Sequence, residues 1–288
     1  AYLGSTVVIA PRPHVPDVIR LIERHRCTTL FGVPTLFHLL VNQRDLAAHD
    51  LASLRLIAYA GSMMPTQTIR RLRECFPAVA LHNFFGLTET ISMTHVLPSA
   101  DALVHPDSIG KPLPDIHALI VDESLRPVPT GTVGLLCFHV SNVVQGYWKR
   151  PGLLDEACFE LEGERYFNTG DLAMVDADGY VYLKGRKKEM IIVGGENVYA
   201  LEVENVLLGH EDVLEAAVVG VEATGASAYL GELVKAVVVL RAGGRAAERD
   251  LKRHCAERLA SYKVPSLVEF RDALPRNPTG KVMKNELK

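Results

Sequence analysis

The sequence predicts an α/β fold: part of a doubly wound large domain, a β-rich subdomain, and a small α+β domain at the C-terminus. Three observations support this prediction. Helical and strand patterns alternate up to about residue 107, which indicates a mostly parallel sheet. Short strands separated by Pro, Gly and Asp follow in residues 108–185. Residues 186–288 then read as β, helix, β, β, helix, β, so we expect domains at 1–185 and 186–288.

Size and composition are those of a globular protein. The chain has 288 residues, of which 48% are hydrophobic and 23% charged, enough for two domains with a sizeable core. The net charge is −3 and the basic residues are dispersed, which argues against a nucleic-acid partner. The longest apolar runs are too short for a membrane span.

Cysteine and histidine usage indicates the compartment and excludes one kind of metal site. The five cysteines are widely separated and form no CxxC pair, which is typical of reduced thiols in a cytoplasmic protein. The eleven histidines show no ligand spacing, so no zinc site is expected.

The first region is predicted from hydrophobic periodicity. Val15, Val18, Ile19 and Ile22 recur with helical spacing and indicate an amphipathic helix. The other expected elements are a strand at 28–31, a helix capped by Thr35 and running to Val41, a strand at 54–59, a helix marked by Ile69, Leu72 and Phe76, and a strand at 79–85.

The last of these strands runs into residues 82–90 (HNFFGLTET), where Gly86 permits a sharp change of direction. Thr88 and Glu89 follow at the end of the strand, where loops of α/β sheets collect their ligands. A hydroxyl can hold a phosphate oxygen and a carboxylate can hold magnesium. This segment is therefore our first candidate for nucleotide chemistry.

Turn residues organise the later regions. A hairpin is predicted between 172–175 and 180–183 across Asp176–Gly179. In the small domain, Tyr199, Val203, Val206 and Leu207 share one helical face. Strands are expected at 214–221 and 233–240, and a second helix at 246–259.

Four further motifs follow the first in order: 168–172 (NTGDL), 184–189 (KGRKKE), 194–197 (GGEN) and 274–281 (LPRNPTGK). With HNFFGLTET, they resemble the adenylate-forming (AMP-forming) acyl-CoA synthetase superfamily over nearly the whole chain. The resemblance implies ATP, Mg²⁺ and coenzyme A as cofactors, a small carboxylic acid as substrate, and a C-terminal domain that acts as a lid.

The resemblance assigns the adenine site to two segments. The turn Gly61, Ser62 and Met63 would lie along one face of the ring. Phe85, usually Tyr in the family, would stack on the other face, within the segment Phe84 to Gly86, and Asn83 would approach the ring edge. Core packing is the other explanation for Phe85.

The resemblance also assigns the groups that handle charge. Thr88 would contact phosphate, Glu89 would be the magnesium ligand, and Lys281 would bridge the carboxylate and the phosphate; these three are the expected catalytic residues. Asp171 would accept bonds from both ribose hydroxyls, which one two-oxygen acceptor can do. Arg186 would be a second contact to ribose and phosphate.

Two positions concern movement and the thiol. Lys188 matches the family hinge between two catalytic conformations. Gly194 and Gly195 resemble the turn that lines the pantetheine tunnel of CoA ligases, where a missing side chain lets the thiol arm pass. A β-hairpin turn is the other explanation for this glycine pair.

The chain departs from the family pattern mainly in one respect: the Ser/Thr- and Gly-rich phosphate loop is absent from the 288 residues. We therefore expect a fragment or truncated form of an acyl-CoA synthetase. Transfer to a carrier-protein phosphopantetheine and a non-adenylating nucleotide-binding module remain alternatives. The acid should be bound by Phe31 to Phe37, Ala58 to Met64 and the segment after Glu89. In these segments the apolar residues Phe37, Met63, Met64 and Met93 suggest an aryl or alkyl acid.

Overall fold

The computed structural model describes residues 4–12, 14–277 and 280–288. Its contacts divide the chain into two compact units, Ala1–Asp115 and Ile116–Lys288. No helix in these described ranges combines the length and the hydropathy needed to cross a bilayer. The predicted domain boundary at 185/186 stays a prediction.

The first unit contains the alternating elements that the sequence predicts. In chain order these are α1 (Val15–His25), β1 (Thr29–Gly32), α2 (Pro34–Val41), β2 (Leu56–Ala60), α3 (Thr66–Cys75), β3 (Ala80–Gly86), β4 (Met93–Leu97) and β5 (Ser108–Pro112). Strands β1, β2 and β3 are parallel neighbours, whereas β4 and β5 add in antiparallel orientation. Parallel strands joined through helices confirm the α/β prediction.

The core of the first unit follows the predicted helical faces. Ile19 and Ile22 of α1 are buried, as are Ile69 and Leu72 of α3. The expected cap at Thr35 is wrong: α2 begins at Pro34, and its N-cap residue Val33 makes no side-chain hydrogen bond to the helix. Proline suits the first helical turn because its missing N–H would have had no partner there.

The second unit begins with an antiparallel sheet. Its strands are β6 (Ala118–Val121), β7 (Gly134–His139), β8 (Cys158–Leu161), β9 (Glu164–Val175) and β10 (Val181–Arg186). They lie in the order β10-β9-β7-β6, with β8 also paired to β9. Val175 pairs with Val181, which confirms the predicted hairpin across 176–179.

The rest of the second unit forms the predicted α+β arrangement. It contains β11 (Ile191–Val193), β12 (Glu196–Val198), α4 (Ala200–Leu208), β13 (Val213–Glu222), β14 (Glu232–Leu240), α5 (Glu248–Ala256) and β15 (Leu267–Phe270). Strand β14 is antiparallel to β13 and parallel to β15. Tyr199 is the N-cap residue of α4, one position before the helix.

Two apolar clusters cover the two faces of the β13–β14 sheet. Val203, Leu207 and Leu251 belong to the cluster that includes the helices, together with Val218 and Val238. On the opposite face the C-terminal segment contributes Leu274 and Leu287, which pack with Ala217, Val219, Val237 and Val239. The segment that ends in Lys281 is therefore attached to a defined face of this sheet.

Candidate active site

The turn after β3 needs glycine for steric reasons. A Cβ atom added at Gly86 would lie 2.3 Å from the carbonyl oxygen of Ser92 and 2.9 Å from Cα of Met93. The chain therefore passes against its own return strand at this point. This agrees with the sharp turn expected at Gly86, although the reason is a close backbone contact.

Thr90 fixes the shape of the same turn. Its Oγ1 accepts a hydrogen bond from the Leu87 N–H at 2.9 Å and lies 2.9 Å from the Ser92 carbonyl oxygen. Thr90 is buried, whereas Thr88 is exposed and Glu89 half-buried. The sequence analysis gave Thr90 no role; its spacing of three residues from Leu87 was the available signal for a turn.

Strand alternation sorts the aromatic part of the motif into two faces. Asn83 and Phe85 share one face of β3, and Phe84 lies on the other, tilted against His82. The buried Asn83 amide donates to the Ser108 carbonyl oxygen at 3.2 Å. The Phe85 ring meets His95 edge-on, with centroids 5.8 Å apart.

His95 was not identified from the sequence. Burial lowers the pKa of this histidine to about 4, so the ring that supports Phe85 is neutral at physiological pH. The half-buried Phe85 thus has aromatic packing on one side, which is compatible with either explanation given for it above.

The turn after β2 presents Gly61, Ser62 and Met63. Gly61 adopts φ 91°, a conformation that favours glycine. Gly61 and Ser62 are exposed and Met63 is half-buried. This strand end belongs to the same parallel sheet as β3, because β2 and β3 pair directly.

Asp171 and Arg186 face each other across the β9–β10 hairpin. The two residues are register partners, and the register of the hairpin shifts between Leu183 and Gly185, just before Arg186. The Arg186 Nε lies 2.8 Å from Oδ1 of Asp171, and its Nη1 donates to the Thr169 carbonyl oxygen at 2.8 Å. The predicted ribose contacts therefore form one ion pair.

The second oxygen of Asp171 is unusual. The residue is only 6% exposed, and its Oδ2 is buried without a hydrogen-bond partner. Buried carboxylate oxygens normally accept hydrogen bonds, since an unsatisfied one costs about 1–3 kcal/mol. An unsatisfied acceptor held beside a fixed guanidinium is what a binding site for hydroxyl donors requires.

The charge environment of Asp171 includes Lys281. Burial raises the pKa of the Asp171 carboxyl, while the positive charges of Arg186 and Lys281 act to lower it and that of Glu189 to raise it. The charges of Arg186 and Lys281 thus both act on the Asp171 carboxyl within the second unit.

Two hydrogen bonds join Asn277 to Lys281. The Lys281 N–H donates to Oδ1 of Asn277 at 2.9 Å, and the Asn277 N–H donates to the Lys281 carbonyl oxygen at 2.9 Å. Pro278 and Thr279 of the predicted motif lie outside the described residues. Arg276, which the sequence analysis did not single out, donates hydrogen bonds to the Gly280 carbonyl oxygen next to Lys281 and to Glu215 of β13.

The segment around Lys188 is a single 3-10 turn, Lys187–Glu189. Lys187 pairs with Glu123 at 3.0 Å, and Glu189 pairs with Lys284 at 3.2 Å. Lys188 itself is exposed. The residues before and after Lys188 are thus tied to different parts of the second unit.

Gly194 and Gly195 form the two-residue turn between β11 and β12. Their φ values are 58° and 89°, and both positive values are typical of a type I′ hairpin turn. A Cβ atom at Gly195 would meet nothing within 4 Å. The turn accounts for both glycines, and a role in binding the thiol arm stays a prediction.

Glu89, the expected magnesium ligand, does not belong to a group of metal-binding side chains in the described residues. In the described part of the chain, no three His, Cys, Asp or Glu side chains come together as a metal-binding group. Magnesium is often held by one or two carboxylates together with substrate phosphates and water. Glu89 fits that mode of binding, in which nucleotide oxygens would complete the coordination.

Comparison with known families gives two matches. The model described as AMP-binding enzyme matches residues 1–148, and the model described as AMP-binding enzyme C-terminal domain matches residues 202–281. Among curated proteins, a long-chain-fatty-acid–CoA ligase of Escherichia coli is 37% identical over 286 residues. The match covers 99% of this chain and 49% of that protein, so the chain spans about half the relative's length.

Solved structures agree with these matches. The anthranilate CoA ligase AuaEII in complex with anthranoyl-AMP is 30% identical with a TM-score of 0.88, over 99% of this chain and 54% of that one. ATP-bound MatB from Rhodopseudomonas palustris is 33% identical with a TM-score of 0.84, over 97% and 53%. The similarity therefore includes proteins solved with ATP and with an acyl-adenylate.

Proposed function

Since the chain belongs to the AMP-binding enzyme family, we propose that it contributes to ATP-dependent activation of a carboxylic acid as acyl-AMP, followed by transfer to CoA. The observation that supports this most directly is the unsatisfied Oδ2 of Asp171. A carboxylate whose second oxygen has no hydrogen-bond partner in the protein retains the acceptor capacity for the hydroxyls of a ribose.

Arg186 has a positioning role in this proposal. Its bonds to Asp171 and to the Thr169 carbonyl oxygen hold the guanidinium in place before any ligand binds. A fixed guanidinium stabilises the buried carboxylate and directs it toward the ribose. The cost of leaving Oδ2 unsatisfied would be recovered when nucleotide binds.

The proposed chemistry distributes charge among three residues. The acid attacks the α-phosphate of ATP, acyl-AMP forms, and pyrophosphate leaves; the CoA thiol then attacks the acyl carbon and AMP leaves. Lys281 would neutralise charge developing between carboxylate and phosphate, and Thr88 would contact phosphate. Glu89 would hold magnesium, which when bound screens the phosphate charge.

The acid is proposed at the level of its class, an alkyl or aryl carboxylic acid. The relatives compared above carry names for long-chain fatty acid and anthranilate substrates. Of the apolar residues expected near the acid, Phe31 and Met93 are exposed, whereas Phe37 and Met64 are buried in the core. Phe31 and Met93 are therefore the better candidates for direct contact.

Two other functions stay open as proposals. Transfer to a carrier-protein phosphopantetheine uses the same first step with another thiol. A nucleotide-binding module without turnover is the second alternative. That module would bind AMP through Asp171 but show no pyrophosphate exchange.

ATP–pyrophosphate exchange with a panel of alkyl and aryl acids tests the proposal. The assay compares the chain alone with the chain joined to the N-terminal half of the Escherichia coli relative. Exchange in the joined protein, reduced about 100-fold by Lys281→Ala, is the expected result. If the joined protein folds and binds AMP without exchange, the non-adenylating module is correct.

The thiol acceptor is tested separately with preformed acyl-AMP. CoA and a phosphopantetheinylated carrier protein compete for the acyl group, and the preferred acceptor identifies the second step. Gly195→Asn keeps the left-handed turn while adding a side chain. It should slow thioester formation, whereas Gly179→Asn, at another glycine with positive φ and open space, should not.

A further inference from the structure

Arg276 connects the Lys281 loop to the small sheet through three contacts. Its Nη1 donates to the Gly280 carbonyl oxygen at 2.7 Å, and its Nη2 donates to Oε1 of Glu215 at 2.6 Å. Its backbone forms an isolated β-bridge with Val282. The carbonyl that immediately precedes Lys281 is therefore bound by a guanidinium whose other nitrogen is bound to β13.

Glu215 is placed for this contact by the sequence of β13. It alternates with Ala217 and Val219, whose side chains lie on the face that the C-terminal segment covers. The pairing register of β13 shifts between Val213 and Glu215, and such bulges redirect side chains. On this face of β13 the carboxylate of Glu215 therefore precedes the apolar side chains of Ala217 and Val219, and it faces the segment that carries Lys281.

The pair is more than a surface ion pair. The side chains of Arg276 and Glu215 are 26% and 16% exposed, which limits solvent screening. The planar guanidinium can serve two acceptors in fixed directions, which a lysine at this position could not do. The cost of burying these charges is consistent with a role in fixing a local conformation.

We propose that Arg276 and Glu215 are positioning residues, which hold the backbone around Lys281 on β13 and so direct its ammonium group to the reaction. This proposal rests on the function proposed above for Lys281. Neither Arg276 nor Glu215 need touch substrate, since Arg276 acts through the Gly280 carbonyl and Glu215 acts through Arg276.

The first test measures pyrophosphate exchange and thioester formation in the joined protein. Arg276→Met should lower the kcat of exchange by about 10- to 100-fold, because a displacement of about 1 Å of a catalytic group has effects of that size. Glu215→Gln should have a smaller effect in the same direction. Thioester formation from acyl-AMP should be spared by both variants, as by Lys281→Ala.

A matched control lies on the same face of the same sheet. Lys235 alternates with Val237 and Val239 on β14 and pairs with Glu269 at 2.7 Å, with exposures of 16% and 37%. Lys235→Met removes an ion pair of similar burial that involves neither Arg276 nor Glu215, and Glu269→Gln removes it together with the pair between Glu269 and Arg271. They should leave exchange unchanged; equal losses in both pairs would show that Arg276 is only structural.

The second test needs no turnover and uses the 288-residue chain itself. Since the charge of Lys281 lowers the pKa of Asp171, Lys281→Met should raise that pKa. Arg276→Met should raise it as well if the lysine moves away. Carboxyl ¹³C NMR follows the titration, and Asp171→Asn assigns the signal.

The two tests separate the possible failures. If Arg276→Met and Glu215→Gln leave both exchange and the pKa of Asp171 at wild-type values, the positioning proposal is overturned. If the pKa rises while Lys281→Ala retains full exchange, the pair does position Lys281 but the proposed function of that lysine is wrong. Should Arg276→Met not fold, Arg276→Lys and Glu215→Gln provide the same readouts.

Discussion

The turn after β3 and the buried Asp171 carboxylate with Arg186, which we call the Asp171 pocket, use their polar groups in opposite ways. In the turn, the Thr90 hydroxyl bonds to backbone groups of Leu87 and Ser92, three and two residues away. The predicted ligand contact Thr88 is exposed. In the pocket, the predicted ligand contact is itself buried, with one oxygen bound by Arg186 and the other unsatisfied. Both segments were assigned to one nucleotide by the same resemblance.

This difference shows two ways of preparing a site. The turn is a scaffold, because its internal hydrogen bonds determine the positions of Thr88 and Glu89. The pocket is a preorganised acceptor, because its carboxylate has already been removed from water before a ligand arrives. We therefore expect ligand binding to depend most on the pocket, and local stability to depend most on the turn.

Asp171→Asn should produce the largest change and tests the pocket directly. The amide can no longer accept two hydroxyls as an anion, and it leaves Arg186 without its counter-charge. Hydrogen bonds to charged groups contribute about 1.5–3 kcal/mol, so AMP should bind about 10- to 100-fold more weakly. Calorimetric titration of the 288-residue chain with AMP measures this.

Asp122→Asn is the control for that measurement. Asp122 is a turn aspartate that accepts bonds from the N–H groups of Ser124 and Arg126. Its substitution should leave AMP affinity unchanged. An equal loss of affinity in both variants would remove the distinction between the pocket and an ordinary turn.

The pH dependence of AMP binding should also follow the pocket. Burial raises the pKa of Asp171 in the free protein above the ordinary value of an aspartate, and hydroxyl donors favour its ionised form. The affinity for AMP should therefore reach its maximum at pH values well above this raised pKa, where Asp171 is ionised. It should fall as the pH drops through it, approaching tenfold per pH unit below it.

Calorimetry as a function of pH locates this transition. Asp171→Asn should flatten the profile, because its amide does not titrate. Protonation of the AMP phosphate contributes its own, separate pH dependence, which adenosine lacks. An adenosine titration that shows no loss of affinity at low pH would contradict the role of Asp171 in binding ribose.

Sequence patterns predicted the elements of both regions because their determinants are local. Periodicity located α1, and turn composition located the 176–179 hairpin. The interactions that complete the site join distant parts of the chain. Arg276 and Glu215 are 61 residues apart, and no local pattern relates them. The packing of His95 on Phe85 likewise depends on the pairing of β3 with β4.

The capping error at α2 has a local cause. Thr35 is a good capping residue by type, but Pro34 already occupies the first helical position and moves the N-cap to Val33. The glycine pair at 194–195 shows the reverse case, in which a local turn explains residues that the resemblance assigned to thiol binding. Residue type alone does not distinguish these explanations.

Gly86→Ala tests the scaffold. The added methyl group would lie 2.3 Å from the Ser92 carbonyl oxygen, so the turn must open. We expect a loss of about 1–3 kcal/mol in the stability of the first unit. Thermal unfolding followed by circular dichroism measures it, and AMP binding to the folded variant should change less than in Asp171→Asn.

Gly131→Ala separates crowding from backbone strain. Gly131 has φ 84°, and an added Cβ atom would meet nothing within 4 Å. The strain of a left-handed residue is then its only cost, about 1 kcal/mol. A melting temperature for Gly86→Ala equal to that of the wild-type protein would contradict the close contact in the turn.

Thr90→Val and Thr88→Val make the finest comparison, because the two residues have the same side chain in one turn. Loss of the buried Thr90 hydroxyl leaves the Leu87 N–H without its acceptor and should cost about 1 kcal/mol. Thr88 is exposed, so its substitution should change stability by less than about 0.5 kcal/mol. In pyrophosphate exchange by the joined protein the order should reverse, with Thr88→Val the more damaging change. Equal effects of the two variants in both assays would contradict the assignment of turn stability to Thr90 and of ligand contact to Thr88.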